Sequence, residues 1–369
     1  MKFIKAAKLA AAGSITALAL SACAANETGD TATQSTSDSA TASLSGELNG
    51  VGASSMAPAQ EAWSITFQQK HPNVTVNYDP AGSGTGRETF QNGASAFAGS
   101  DRAFKTSELA GGQFSGCAAN SEVLEFPVYI SPIAIIFNVA GVDSLQLDAP
   151  TIAKIFTGQI KQWDDPQIAA QNPGVTLPAA AITAVHRSDK SGTTGNFTDY
   201  LHGAAGSDWS AGAVEEWPSE LGGEAAQGTS GVVEAVQNGS GTIGYVDASR
   251  AGDFSSVKVK VGAEYVTHTP AAAAKIVDAS PVEEGRSPGD IAITIKRDST
   301  DSGVYPIVLV SYAIACSEYA DPKVGELTKA YLEYIVSAEG QNLAAERAGS
   351  APLSADMQAK IAAIIKNIK

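Results

Sequence analysis

Residues 181–201 read AITAVHRSDKSGTTGNFTDYL, and the order of residue types in this stretch decides the fold class. Ala181 to Val185 form a short, β-rich apolar run, the composition of a strand. Arg187, Asp189 and Lys190 then lead into hydroxyl residues and glycines, and Phe197 and Tyr200 return at the spacing of a helix. Strand, glycine-containing loop and helix together make the unit of an α/β fold, in which helices cover a sheet.

The alternation continues in both directions along the chain. LSGELNGVGAS (44–54) begins as a strand; MAPAQEAWSITFQQKHP (56–72) has helical spacing in Ala59, Ala62, Trp63, Ile65 and Phe67; VTVNYDP (74–80) is a second strand. GRETFQNG (86–93) is a short helix, and SEVLEFPVYISPIAIIFNV (121–139) is a long β-rich run expected to be broken by Pro127 and Pro132. LDAPTIAKIFTGQIKQWDDP (147–166) reads as a helix followed by a Trp-bearing loop. GTIGYVDAS (241–249) and YPIVLVSYAIAC (305–316) are later strands, the second apolar enough to be central, and helices over 323–349 and 355–368 close the chain.

With 369 residues, 44% of them hydrophobic, the chain has material for a large core and two lobes. Its first residues, MKFIKAAKLAAAGSITALALSAC, place Lys2, Lys5 and Lys8 before a short apolar run, the pattern of a secretory signal over residues 1–22. Leu20-Ser21-Ala22-Cys23 resembles a lipobox, in which the cysteine thiol receives a diacylglyceryl group and becomes the first residue of the mature chain. Residues 23–45 are mostly Ala, Thr, Ser, Asp and Gly, a composition that buries no core and suits a tether. The expected location is therefore outside the cytoplasm, attached to the membrane by lipid alone.

Loss of the signal removes three positive charges and no negative ones, taking the formal charge from −15 to −18. Such a balance disfavours nucleic acid and anionic lipid as partners. The two remaining cysteines, Cys117 and Cys316, are expected to pair, since disulfides persist outside the cell; two free buried thiols are the alternative.

Three places share one grammar, a β-rich run followed by small hydroxyl residues and then a helix. In GVGASSMAPAQEAW (50–63) Ser54 or Ser55 is expected to cap the helix, with Pro58 in its first turn; in YDPAGSGTGRETF (78–90) the expected cap is Ser83; in the 181–201 stretch Ser191 precedes Gly192, Thr193 and Thr194. A helix start carries unpaired N–H groups and about half a positive charge, so several aimed at one point hold an anion without a metal or cofactor. Arg187 ends an apolar strand with a fork suited to two oxygens, and Asp189 has the alternation to hold that guanidinium. Asp101 follows the small-residue run FAGS (97–100), and taken alone reads as a turn residue.

GVGASSMAP, GSGTG, AGSD and RSDKSGTTGNF, in this order and at these separations, resemble the phosphate-binding proteins of bacterial phosphate ABC importers, as do IFTGQIKQWDDP, GTIGYVD and YPIVLVSY. The resemblance runs from about residue 46 to the C-terminus. It implies a two-lobed, periplasmic-binding-protein-like type II fold in which each lobe is a sheet covered by helices, with two crossovers near Pro127 and Pro306. Residues 46–127 and 306–369 then form lobe 1 and residues 128–305 lobe 2, which puts Cys117 and Cys316 in the same lobe. It further implies inorganic phosphate as ligand, held by Ser54, Ser55, Ser83, Asp101, Arg187, Ser191, Gly192 and Thr193, with Asp189 fixing the arginine and permease subunits as partners of a monomer. Asp101 accepts the phosphate proton, a feature that sulfate lacks. Ser55 departs from the family, where a bulky apolar residue is common, so its amide is the safer donor.

The enzymatic alternative, a secreted phosphatase or other phosphate-ester hydrolase, finds little in the residues. Gly285-Arg286-Ser287-Pro288-Gly289 matches G-x-S-x-G but follows no strand, and Pro288 suits a nucleophile elbow poorly. His71, His186, His202 and His268 lie in no metal spacing, and strand alternation turns His186 away from Arg187. Lys190-Ser191 lacks the glycine that precedes the lysine of a P-loop.

Overall fold

A computed structural model describes residues 43–369; the signal, Cys23 and most of the tether lie outside the described residues. The chain opens with β1 (Gly46–Gly52), a 3₁₀ turn (Ser54–Met56), α1 (Ala57–Lys70), β2 (Val74–Asp79), α2 (Ser83–Gln91), β3 (Phe97–Ser100) and α3 (Thr106–Gly111). Next come β4 (Val123–Asn138), β5 (Ser144–Leu147), α4 (Ala149–Phe156), α5 (Pro166–Gln171), β6 (Thr183–Arg187), α6 (Gly192–Ala204), β7 (Glu224–Ala226), α7 (Gly228–Asn238) and β8 (Thr242–Asp247). β9 (Ser255–Val261), β10 (Glu264–Val266), α8 (Pro270–Asp278), β11 (Val308–Cys316), α9 (Pro322–Val336), α10 (Ala338–Ala348) and α11 (Ala355–Ile365) complete it. The expected α/β class is present.

The strands follow one path, β2-β1-β3-β11-β4-β8-β6-β7, with β9 pairing β4, β5 and β10 at the side. β11 is central, as its composition implies, and every one of its residues is buried. β4 is the strand that both parts of the path share. Its residues 123–132 pair with β11, and from Ile133 onward it pairs with β8, so it changes partner at Pro132–Ile133.

The two prolines do not break β4, contrary to the sequence reading; it runs unbroken over 16 residues. Pro127 sits at a register shift, where Ser311 pairs with Tyr129 but Tyr312 pairs with Pro127, leaving Val128 as an extra residue. Pro132 is the last residue paired to β11. A proline lacks a donor, and a bulge or a change of partner is where a sheet tolerates that loss.

In α1, Ala59, Trp63 and Phe67 are buried, but Ile65, counted with them from the sequence, is 48% exposed. Two residues separate it from Trp63, about 200° around a helix, so both cannot face the sheet. Trp63 donates its indole N–H to Gly340 O at 2.7 Å, which ties α1 to α10. The Trp-bearing loop is fixed in the same way: Trp163 is fully buried and donates to Gly241 O at 3.1 Å.

Cys117 and Cys316 are disulfide-bonded, with Cα atoms 5.4 Å apart and a sequence separation of 199. The bridge joins the segment before β4 to the end of β11. Among the described residues no helix is long and apolar enough to cross a membrane.

Candidate oxyanion site

Every residue expected at the site comes from the C-terminal end of a strand or from the helix start that follows it. Ser54 and Ser55 follow β1, Ser83 opens α2 after β2, Asp101 follows β3, and Arg187 ends β6 just before α6. All are buried, Asp101 at 3% exposure and Arg187 at 2%. In an α/β fold this edge is where helix starts and their free N–H groups converge.

The capping roles differ from those read in the sequence. Ser191 does cap α6, accepting from Thr194 N at 3.2 Å. Ser83 does not cap α2: Gly82 precedes the helix, and the Ser83 hydroxyl accepts instead from Asp101 N at 3.1 Å. Neither Ser54 nor Ser55 caps α1, because both lie in the 3₁₀ turn before it, while Pro58 is in the first turn as expected. Their hydroxyls are thereby released for long-range contacts: Ser54 Oγ lies 2.9 Å from Thr229 Oγ1, and Ser55 Oγ donates to Asp101 Oδ1 at 2.7 Å.

Asp101 is the hub. Its Oδ1 accepts from Ser55 and, at 2.8 Å, from Ser311; its Oδ2 accepts from Thr193 Oγ1 at 3.2 Å, across from the start of α6. Burial raises its pKa, against the lowering pull of these hydroxyls and of the Arg187 charge. Arg187 is gripped by Asp189 through Nε at 2.7 Å and Nη2 at 2.5 Å, a bidentate pair. Burial disfavours the Asp189 charge, but the bonds and charge of Arg187, with an N–H from Gly228 at 3.0 Å, hold its pKa below the usual value.

Two glycines let the backbones meet. A Cβ on Gly192 would lie 2.5 Å from Ser83 Oγ and 2.6 Å from Asp101 Cβ, and Gly82 takes φ +107° with Asp189 Oδ2 only 2.6 Å from where its Cβ would stand. Lys190, without a role in the sequence reading, fastens the same seam: its carbonyl accepts from Gly84 N at 3.1 Å, and its Nζ lies 3.3 Å from Glu88 Oε1.

The sequence reading missed four groups. Gly228-Thr229, at the start of α7, adds a further helix N-terminus beside Ser54 and Asp189. Its GTSG (228–231) repeats the small-hydroxyl grammar of the other starts and was open to the same reading. Ser311 is the one serine of an otherwise largely apolar, fully buried strand, where a polar group must find a partner. Tyr245 bridges Thr194 Oγ1 at 2.7 Å and Arg187 N at 3.3 Å, and nothing local marks it. Finally, Glu215 accepts from Arg87 at 2.6 and 2.8 Å and from Arg102 at 2.9 Å, and its carbonyl accepts from Ser191 N, tying α2 and the end of β3 to the start of α6. Its pKa is lowered, the two arginines outweighing burial.

The residues weighed for catalysis lie elsewhere. His186 stacks on Trp217 with centroids 4.9 Å apart and its Nδ1 lies 3.0 Å from the Arg187 backbone carbonyl, and Ser287 sits in a turn with no strand before it. Among the described residues no group of three or more His, Cys, Asp or Glu is placed to hold a metal.

The family model described as "PBP superfamily domain" matches residues 31–339. Phosphate-binding protein PstS2 of Mycobacterium bovis (strain BCG / Pasteur 1173P2) is 34% identical over 328 residues, 87% of each chain. Phosphate-binding protein PstS 3 of Mycobacterium leprae (strain TN) is 36% identical over 300 residues, 80% of each chain. Among solved structures, the phosphate-binding protein from Stenotrophomonas maltophilia superposes with a TM-score of 0.65 at 22% identity, covering 86% of this chain and 93% of that one, which supports the fold. Helix starts gathered at one sheet edge, a buried arginine held by its own aspartate, and identity sustained across most of the chain converge: this chain belongs to the PBP superfamily and, within it, to the PstS phosphate-binding proteins.

Proposed function

We propose that the chain binds inorganic phosphate between Asp101 and Arg187 and delivers it to the permease of a phosphate ABC importer. The observation that carries this reading is the composition of the site: one buried carboxylate, Asp101, set among hydroxyl and N–H donors and within electrostatic reach of Arg187. Donors alone suit any oxyanion. A carboxylate that only accepts suits an oxyanion that still carries a proton, as phosphate does at neutral pH and sulfate does not. Phosphate contacts are assigned to Ser54, Ser55, Ser83, Asp101, Arg187, Ser191, Gly192 and Thr193, with Asp189 holding the arginine. The relatives' names carry phosphate binding; the transport setting comes from the resemblance of the motifs to the receptors of phosphate ABC importers.

The protein acts as a receptor rather than an enzyme: the site hydroxyls pair with the acceptor Asp101, with Thr229 and with backbone N–H groups, and none of these bonds joins a hydroxyl to a histidine or lysine. Residues 46–127 with 306–369 form one lobe and 128–305 the other; the change of partner at Pro132–Ile133 supports a crossing within β4. Residues 1–22 export the chain, Cys23 carries lipid, residues 23–45 tether the body, and the receptor works as a monomer. Titration calorimetry with phosphate and with sulfate tests the reading: heat is expected for phosphate and little for sulfate, and equal heats, or none for phosphate, would overturn it.

A further inference from the structure

Among the groups around Asp101, Ser311 stands apart because it comes from neither a helix start nor a donor loop. It lies in mid-strand on β11, fully buried, at the point where the register with β4 shifts by the extra Val128. The extra residue belongs to β4, so β11 runs regularly past it, and from this regular, buried strand the hydroxyl of Ser311 donates to Asp101 Oδ1 at 2.8 Å. Ser55 donates to the same oxygen at 2.7 Å. The other oxygen, Oδ2, receives only Thr193, at a longer 3.2 Å, from the facing start of α6.

We infer that Ser311 is a positioning residue for anion selectivity: with Ser55 it occupies Oδ1 of Asp101, fixes the carboxylate plane, and leaves Oδ2 as the oxygen that accepts the ligand's proton. This rests on the phosphate reading above. Two hydroxyl donors on Oδ1 also favour the ionised carboxylate, against a burial that favours its neutral form. The distinction matters because a protonated Asp101 donates, and so welcomes sulfate where an ionised one rejects it.

Charged and titratable groups face Asp101 from several elements. Arg187 stands at the end of β6, Asp247 at the end of β8 and Tyr78 on β2, each within electrostatic reach. Arg297 and Tyr312 line a cavity of about 290 Å³ that Asp101 also borders, together with Lys105, Asp199, Glu283 and Arg286, of which Asp199 pairs with Arg297 and Glu283 with Arg286. Arg102, next in the chain, is engaged by Glu108 and Glu215. None of these places a hydrogen bond on Oδ1, so the two serines are the donors that oppose burial at that oxygen.

The test is phosphate–sulfate competition in wild type and Ser311→Ala, measured from acid to neutral pH, with thermal unfolding alongside. Taking the ratio of variant to wild type at each pH cancels the titration of phosphate itself. One lost hydrogen bond to a charged group predicts a preference for phosphate reduced about tenfold or more, with the acid loss of preference beginning at higher pH than in wild type. A purely structural Ser311 would lower the unfolding temperature and leave the preference and its pH profile unchanged; that result overturns the inference. Ser311→Cys, which nearly keeps the volume but offers only a weak S–H donor, is expected to move the profile in the same direction, and supplies the test if Ser311→Ala does not fold. Wild type showing no phosphate preference refutes the phosphate reading, whereas wild-type preference with an unmoved Ser311→Ala profile refutes this inference alone.

Discussion

Replacing Asp101 with asparagine separates selectivity from stability, and the two are expected to move in opposite directions. In the wild type the carboxylate accepts three hydroxyl hydrogen bonds, from Ser55, Ser311 and Thr193, while burial opposes its charge. Asparagine keeps one acceptor oxygen, which the network assigns to Ser55 and Ser311, and turns an NH₂ toward the ligand. The phosphate proton then meets a donor and is left unpaired, at a cost of about 1–3 kcal/mol. Sulfate gains a charge-assisted hydrogen bond of about 1.5–3 kcal/mol at the same place. Together these predict that the phosphate-over-sulfate preference falls by about two to four orders of magnitude, at 1.36 kcal/mol per decade. A site built around a matched hydrogen bond discriminates by up to about 10⁵, so the change is large enough to resolve.

The stability arm follows from the sign of the pKa shift. A carboxyl whose folded pKa is raised favours the folded state below its unfolded pKa, and that contribution is lost as pH rises through the folded pKa. Asparagine keeps the neutral state at every pH. The variant should therefore unfold at equal or higher temperature than the wild type at neutral pH, without ligand, while binding phosphate less selectively. The assays are competition calorimetry for the preference and a thermal melt for stability. A preference unchanged within about threefold, an amount below 1 kcal/mol, would refute the role given to Asp101 Oδ2.

Two further predictions concern the body of the protein. Glu125 is fully buried and accepts from Phe104 N at 2.7 Å, and burial, then the nearby Asp290 charge, push its pKa from 4.5 to about 8. Stability should therefore decline between about pH 4.5 and pH 8 by a few kcal/mol at most, and Glu125→Gln should flatten this slope; denaturant melts at acid, neutral and alkaline pH check it. Replacing both Cys117 and Cys316 by alanine opens a loop with a sequence separation of 199, for which chain entropy predicts a loss of about 4–5 kcal/mol. Denaturant midpoints measure that loss, and phosphate affinity under native conditions should be unchanged, because both cysteines lie away from the site.

The alternation of β-rich runs with helices, the helix start at Ser191, the disulfide and the placing of Arg187 beside Asp189 were legible in the sequence. Each depends on neighbours within a few residues, on a periodicity, or on a composition that has few structural outcomes. The continuity of β4 was not legible, since whether a proline ends a strand depends on what the facing strand offers at that point, and β11 offers a register shift. The serines after β1 and at the start of α2 illustrate the same limit: their local pattern suggests caps, but their hydroxyls bond Thr229 and Asp101, residues that only the fold brings near. Ser311 is separated from Asp101 by 210 residues and Thr229 from Ser54 by 175. The sequence by itself determined the α/β class, the family resemblance and the residue types at the site. Tertiary structure alone decided which donors reach each oxygen of Asp101, because they are side chains arriving from a separate strand and from separate helix starts.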